Sequence, residues 1–322
     1  MTPRVSLIIP NWNGETLLPT CLNSLRRQTY RDFEVVVMDN ASSDGSLELL
    51  HRDYPEARIV SLPRNLFFAG AVNAGIRLTE GELVALLNND TEAEDHWLEE
   101  LVAALDAHHE AGMAASKLLL FDRRDIIQSA GDFYRHSGVP GNRGVWEKDN
   151  GRYSEPGEVF GACAGAALYR RSMLEDVGLL DEDFRGYCED VDLSFRAQLG
   201  GYRCIYAPAA RVYHRLSATG GGPVASYFCG RNFISVVVKD MPGALLRRYW
   251  HRVLGAQVGY AWHSLRHSRE PAARARLRGQ AAALLQLPLM LRKRRTVQAS
   301  RRVSDEYVDS ILTHYPNRRG DS

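Results

Sequence analysis

Apolar residues in the first third of the chain follow two alternating rhythms. Short, nearly continuous apolar runs at 5–9, 33–38, 58–62 and 83–87 predict strands buried on both faces, the first ending at Pro10 and the second at Asp39. Between these runs apolar residues recur three and four positions apart, the spacing of one helix face. Leu17, Leu18, Cys21, Leu22 and Leu25 predict a first helix, and Leu47, Leu49 and Leu50 a second that Asp44 can cap. Residues 69–78 predict a third, with Gly70 and Gly75 lowering its propensity. Trp97, Leu98, Leu101, Val102 and Leu105 form the apolar face of a fourth over 95–109, and 113–119 predicts a fifth strand.

This alternation predicts an α/β architecture with a parallel sheet covered on both faces. Such sheets bind ligands at the carboxyl ends of their strands. Those ends carry Pro10-Asn11-Trp12-Asn13, Asp39-Asn40, Asn65 and Asn88-Asn89-Asp90. Further along, 120–160 is irregular and rich in Gly, Arg and aromatics, which suggests loops and short hairpins over a site. Strands are expected at 165–169, 203–206 and 212–214, and a helix at 189–199. Residues 217–223, rich in Gly, are a flexible segment and a candidate lid. Beyond about residue 227 the pattern is mostly helical, and no internal repeat is visible.

Composition changes the picture at one point. The chain has 322 residues, 45% hydrophobic and 25% charged, ordinary for one large domain or two smaller ones. Its net charge is +1, yet residues 241–322 hold 16 Lys/Arg against 5 Asp/Glu. The tail is therefore near +11 and the preceding 240 residues near −10. Five scattered cysteines without a CxxC pair argue against a zinc site or a disulfide framework, and so for a reducing compartment. The short apolar run after Met1 is no signal segment, and no stretch reaches the ~18 apolar residues of a membrane span. The expectation is a cytoplasmic protein.

Four groups carry candidate chemistry. Asp90, in Asn88-Asn89-Asp90, follows a buried strand, where a carboxylate can hold a hard divalent cation against a diphosphate; the same triplet is also common turn chemistry. Asp39 can accept the ring N–H of a pyrimidine, or simply begin the loop to the Asp44 cap. Glu189-Asp190-Val191-Asp192 opens a helix, where acids complement the dipole and where one can act as a general base. Asp190 is the favoured base and Glu189 the next, while Asp192, two positions on, belongs to another face. His214, at a strand end, is a structural histidine or a metal ligand that would tilt the ion toward Mn2+.

The order of these motifs resembles the family 2 glycosyltransferases, in particular a bacterial rhamnosyltransferase-like subgroup. The resemblance covers roughly residues 4–235 and also draws on Phe68 to Ile76, Gly165 to Arg171, Gly178 and Asp181-Glu182-Asp183-Phe184. It implies a GT-A fold, with a nucleotide-binding part over about 1–120 and an acceptor-binding part over about 121–235. It implies an inverting transfer of a sugar from a nucleotide diphosphate donor to the hydroxyl of a glycan or lipid-linked acceptor in cell-surface polysaccharide synthesis. The first donor expected is dTDP-rhamnose and the second a UDP-hexose. By that resemblance Asp39 reads the base, Pro10, Trp12 and Asn13 line its pocket, and Asn65 and Asn73 lie near the nucleotide. Asn88, Asn89 and Asp90 stand where the family has DxD, with Asp90 and His214 on Mg2+ or Mn2+ and Asp190 as base. Asn88 replaces the first Asp, leaving one carboxylate fewer for the cation.

Two other functions compete. A nucleotidyltransferase would need a Gly-rich triphosphate loop near the N-terminus, which Pro10-Asn11-Trp12-Asn13-Gly14 is not. A non-catalytic nucleotide-sugar-binding module would not need the Glu189-Asp190 cluster. The tail, 236–322, lies outside the resemblance. Its aromatic and apolar residues beside Arg clusters fit helices lying peripherally on the inner face of an anionic membrane, or helices docked on the acidic domain. No nucleic-acid-binding signature is present, and the sequence leaves the oligomeric state open.

Overall fold

The computed structural model describes residues 2–216 and 221–313. In chain order the first half runs β1 (Val5–Asn11), α1 (Leu18–Arg26), β2 (Phe33–Asp39), α2 (Ser46–Asp53), β3 (Arg58–Ser61), α3 (Phe67–Arg77), β4 (Leu83–Leu87), β5 (Thr91–Ala93), α4 (Trp97–Ala107) and β6 (Ala111–Leu120). Then come β7 (Ile127–Ala130), β8 (Asp132–Tyr134), β9 (Pro140–Asn142), β10 (Gly157–Val159), β11 (Ala166–Arg170), α5 (Arg171–Val177) and a 3-10 turn at Glu182–Phe184. α6 (Glu189–Leu199), β12 (Arg203–His214), α7 (Gly222–Asp240), α8 (Gly243–Arg266), α9 (Pro271–Ala299) and α10 (Asp305–Ile311) complete the described chain.

One large sheet has the order β10-β12-β6-β11-β4-β1-β2-β3. Its β3-β2-β1-β4 half is parallel, as the alternating pattern predicts. The sheet is mostly parallel, as expected, and its exception at the centre is β11, which runs antiparallel to both β4 and β6. β6 and β12 are again parallel to each other. The two strands expected at 203–206 and 212–214 are one strand with an irregularity between Ala207 and Arg211. β1 runs through Pro10 to Asn11; its pairing with β4 stops at Ile8, so the missing Pro10 N–H breaks no ladder there.

Side-chain alternation sorts the core. Val5, Leu7 and Ile9 of β1, with Leu83, Ala85 and Leu87 of β4, meet Leu18, Leu22 and Leu25 of α1 and Trp97, Leu98 and Leu101 of α4. Ile8, Val84 and Leu86 face the other way, onto Ala69, Val72 and Ile76 of α3 and Leu193 and Ala197 of α6. Gly75 is required there: a Cβ would come 2.8 Å from Ile8 Cγ2, so the glycine lets α3 sit close on the sheet.

The C-terminal helices share a third core with this body. Val236, Val237 and Met241 pack with Phe184, Phe195 and Leu199. α7 runs unbroken across position 235, where the sequence suggested an edge between regions. Ion pairs fasten the contact. Buried Asp192 pairs with Arg196 at 2.8 Å and with Lys239 at 2.5 Å, and Lys239 also reaches Asp181 at 2.6 Å. Lys293 of α9 pairs with Asp181 and Asp183. Burial opposes the Asp181 charge, but Lys239 and Lys293 hold its pKa down to about 2. Part of the basic tail thus docks on the acidic body, as one of the two sequence readings has it.

Candidate active site

The carboxyl ends of β1, β2 and β4 open on a cavity of about 730 Å³, closed on its far side by the start of α6, the 128–142 segment and α7. Of the sequence-predicted residues, Pro10, Trp12, Asn65, Asn88, Asn89, Asp90, Glu189, Asp190 and His214 line it. Asn13, Asp39 and Asn73 do not.

Asn11 organises the nucleotide-side floor. Its Nδ2 donates to Asp39 Oδ1 at 3.1 Å and to Ser42 Oγ at 3.3 Å, and its Oδ1 accepts from Asn89 Nδ2 at 2.7 Å. Asp39 is buried, and its Oδ2 accepts the Ser42 N–H at 3.1 Å, which folds the loop after β2 back on the strand end. Asn13, held at φ 51°, braces the same loop by accepting the Ser43 N–H. Asp44 sits one position before the geometric cap, Gly45, and still accepts the Ser46 N–H. Asn40 ties the neighbouring loop by donating to Asn65 Oδ1 and the Phe67 carbonyl while accepting the Leu66 N–H. Asn73 has a different task from the one the resemblance implied. Its amide accepts the Leu180 N–H and donates to the Leu180 carbonyl, so it struts α3 against the segment before the 3-10 turn.

Asp90 and His214 come together from opposite directions, β4 and β12. His214 Nε2 lies 3.0 Å from Asp90 Oδ1, and both side chains are nearly buried. His214 Nδ1 is 2.8 Å from Gln128 Oε1. A carbonyl oxygen only accepts, so Nδ1 carries the proton and Nε2 is the atom presented to Asp90. Beside them Asn88 Oδ1 is buried with no hydrogen-bond partner among the described residues. A divalent cation fits this donor set. The 3.0 Å Nε2–Oδ1 separation is about the edge of an octahedron with ~2.1 Å bonds. No group of three His, Cys, Asp or Glu gathers among the described residues, so such an ion would take its remaining ligands from a bound anion and water.

Across the cavity, α6 starts from Cys188 in a left-handed conformation, φ 67°. Arg185 and Tyr187 also have positive φ. This sharply bent loop aims the first turn of α6 inward. Asp190 Oδ2 accepts the Ala164 N–H at 3.1 Å and Oδ1 the Val191 N–H at 2.8 Å. Burial nevertheless raises the Asp190 pKa. Glu189 is pushed well above the ordinary range by burial and by the Asp190 charge, and its Oε2 has no hydrogen-bond partner among the described residues. Asp132, at the start of β8, joins them. Its Oδ1 accepts from Asn142 at 2.7 Å and Ser129 at 3.2 Å, yet burial and Asp190 hold its carboxyl well above normal. Three carboxyls thus share one buried space. Asp190 is the one with two backbone N–H donors, which favour its charged form, and its charge pushes the other two carboxyls up.

Asn11, Asn40, Gln128 and Asp132 are the site residues that the sequence reading missed as individuals. Asn11 and Asn40 stood inside the quoted strand-end motifs. Gln128 and Asp132 lie in the aperiodic 120–160 segment, where no pattern singles them out. The lid expected over 217–223 falls in part on 217–220, outside the described residues; Gly222 and Pro223 begin α7.

The comparisons bear on this geometry. A family model described as "Glycosyl transferase family 2" matches residues 6–178. Over 234 residues the chain is 32% identical to the O-antigen biosynthesis protein RfbC of Myxococcus xanthus, covering 68% of this chain and 18% of that protein. It is 27% identical over 252 residues to N-acetylglucosaminyl-diphospho-decaprenol L-rhamnosyltransferase of Mycobacterium tuberculosis, covering 70% of this chain and 80% of that one. The chain therefore spans less than a fifth of the first relative and most of the second. Among solved structures, TarS residues 1–349 of S. aureus in complex with UDP-GlcNAc superposes with a TM-score of 0.56 at 19% identity, covering 98% of this chain and 93% of that one. The architecture is accordingly the GT-A arrangement, with C-terminal helices added.

Proposed function

The chain belongs to glycosyl transferase family 2, and from that premise we propose that it is an inverting glycosyltransferase. It moves a sugar from a nucleotide diphosphate donor to a hydroxyl of a glycan or lipid-linked acceptor in cell-surface polysaccharide synthesis. The observation that carries this is the shared cavity: the Asp90–His214 pair faces it from the sheet and Asp190 from α6. A nucleotidyltransferase has no evident use for a base on that far wall. The rhamnosyltransferase named among the relatives favours dTDP-rhamnose as donor, with a UDP-hexose second.

In this reading Trp12, Asn40 and Asn65 wall the nucleotide end. Asp39 behind them reads the pyrimidine ring: each of its oxygens holds one hydrogen bond, leaving acceptor capacity for a ring N–H. Asp90, His214 Nε2 and Asn88 Oδ1 would hold Mg2+ or Mn2+, which neutralises charge growing on the diphosphate as it leaves. Asp190 accepts the proton of the acceptor hydroxyl as that oxygen attacks the anomeric carbon from the face opposite the diphosphate. One displacement inverts the configuration, and no protein nucleophile is needed. Burial makes Asp190 a stronger base than an exposed aspartate, while the Ala164 and Val191 N–H groups keep it ionised. Protonated Glu189 and Asp132 are then donors for hydroxyls of either sugar. A lipid-linked acceptor sits in a bilayer, so the proposal includes a peripheral position on the inner face of the plasma membrane.

The test is a thermal-shift titration with dTDP and UDP, with and without Mn2+, on the full chain and on Asp90→Ala. A nucleotide shift that needs the ion and vanishes in Asp90→Ala supports the donor site and identifies the base it prefers. A folded protein that no nucleotide stabilises would sink the proposal.

A further inference from the structure

The exposed apolar surface of this protein is concentrated on one hairpin. Of fourteen exposed large apolar side chains among the described residues, eight belong to α8 and α9. On α8, Trp250, Leu254, Val258, Trp262 and Leu265 are each 54% to 58% exposed. Their spacings of four, four, four and three residues place them within an arc of about 120°. They make a stripe roughly 22 Å long on one side of the helix. The opposite side is satisfied: Leu245 and Tyr249 enter the third core, and Gln257 accepts from Gln280 of α9.

Charge identifies what covers the stripe. Neither α8 nor α9 contains an Asp or Glu, while the two helices hold eleven Arg and Lys. Some of these dock on the body, such as Arg248 on Asp309 and Lys293 on Asp181. Arg247 and Arg266 of α8 are exposed at the two ends of the stripe, and Arg292 and Arg295 of α9 are exposed as well. Asp305, Glu306 and Asp309 gather with Arg248 at the first turns of α8, and a single acid, Glu270, sits in the turn between α8 and α9. A second copy meeting this face about a two-fold axis would set arginine rows against arginine rows. No described helix is long and apolar enough to cross a membrane. Aromatic and aliphatic side chains on helices whose only charged residues are cations suit the plane between anionic headgroups and acyl chains.

We propose that α8 is a membrane-docking helix that lies flat on an anionic lipid surface through Trp250, Leu254, Val258, Trp262 and Leu265, with Arg247 and Arg266 on headgroup phosphates. Its purpose rests on the proposed function, since a lipid-linked acceptor is met at such a surface. α7, which closes the cavity, and the third core join α8 to the catalytic body, so docking would fix the cavity at a set height above the bilayer.

The test is co-sedimentation of the full chain with phosphatidylcholine vesicles, alone or with roughly a third phosphatidylglycerol. The variants are Trp250→Ser/Trp262→Ser and Arg247→Gln/Arg266→Gln, all at exposed positions, with circular dichroism as a fold check. The full chain is expected to bind the anionic vesicles only. The tryptophan pair should lose at least about tenfold in partition, and the arginine pair should lose most of its binding at low salt. A dTDP or UDP thermal shift should be unchanged in both. Absence of vesicle binding would overturn the inference, as would a tryptophan pair that binds as well as the parent. So would sedimentation velocity showing a dimer that the tryptophan pair dissociates, or RNA that binds through the same tryptophans more tightly than vesicles do. Vesicle binding without any nucleotide shift would instead sink the proposed reaction and leave the membrane face standing.

Discussion

Gly14→Ala is the most direct test of the hydrogen-bonded floor under the nucleotide end. A Cβ at Gly14 would lie 2.1 Å from Asn11 Oδ1 and 2.3 Å from Asn89 Nδ2. Those two atoms are bonded to each other at 2.7 Å, and both side chains are buried. Gly14 is not among the residues with positive φ, so alanine is allowed by the backbone and the cost is steric. Forcing a methyl into a packed site costs about 1–3 kcal/mol. Parting the two amides leaves buried polar atoms at about 1–3 kcal/mol, lessened where Asn89 can reach water in the cavity. The sum is roughly 2–5 kcal/mol, a large fraction of the ~5–15 kcal/mol of an ordinary domain. Urea unfolding would read it as a lower midpoint at constant slope. The control is Gly255→Ala in α8, where a Cβ meets nothing within 4 Å and a gain of roughly 0.5–1 kcal/mol is expected. Asn11→Ala removes the nearer of the two atoms in the way and frees the Asn89 amide to move, so the double variant Asn11→Ala/Gly14→Ala should be less unstable than the two single losses added. A Gly14→Ala protein as stable as the parent would refute the packing argument, and additive losses would refute the role given to Asn11.

Further outcomes follow from the carboxyl cluster and the ion network. Asp190→Asn should keep the fold and lower sugar transfer by about 10²–10⁴, the range for loss of a general base, whereas Arg278→Gln on the exposed side of α9 should not; transfer retained in Asp190→Asn would assign the base elsewhere. Asp132 and Glu189 have raised pKa values, so the folded state holds protons that the unfolded chain has released. Their contribution is present below the ordinary carboxylate range and is lost as pH rises through the folded values. Thermal midpoints should therefore fall on that rise, and Asp132→Asn/Glu189→Gln should flatten the slope; an unchanged slope would deny that these groups are protonated. Lys239→Met strips one partner from Asp192 and Asp181, both inside the fold, and should cost about 3–5 kcal/mol by urea unfolding. A loss under about 1 kcal/mol would mean that the network does not hold α7 to the body.

Strand positions were legible because burial on both faces writes itself as nearly continuous apolar runs; 83–87 matches β4 to the residue. Strand direction was not, because the residues of β11 carry no mark of running against β4 and β6. Direction is set by the path of the preceding 45 residues from the end of β6, a stretch with four short strands and no period to read. Asp132 and Gln128 were hidden by the same stretch. Single polar residues in aperiodic sequence become a site only when the chain path brings them to β12 and α6. Asn73 erred in the opposite direction: it stands in the right motif on α3, but its helical phase turns it toward Leu180 rather than toward the cavity.

The acidic start of α6 shows how much local periodicity can decide when tertiary partners agree with it. Asp190 and Asp192 are two positions apart, about 200° around a helix, and so cannot share a face. Asp190 turns to the cavity and to the Ala164 N–H, and Asp192 turns inward to Arg196 and Lys239. The second arrangement protects the first. An unpaired Asp192 would add a buried negative charge two residues from Asp190 and raise its proton affinity further. With Arg196 and Lys239 in place, Asp192 is not among the groups that shift Asp190. Lys239 is held above the ordinary lysine range in spite of its burial, chiefly by Asp192, so it stays charged across neutral pH. Asp192→Asn should therefore do more than loosen α7. It leaves Lys239 with Asp181 and Asp240 as its acids, and so places a net positive charge behind the first turn of α6. The acid limb of the pH–rate profile, which reports Asp190, should move to lower pH in that variant while the rate on the plateau changes less. A limb that stays where it is, in a protein that has lost stability, would show that Asp192 serves packing alone.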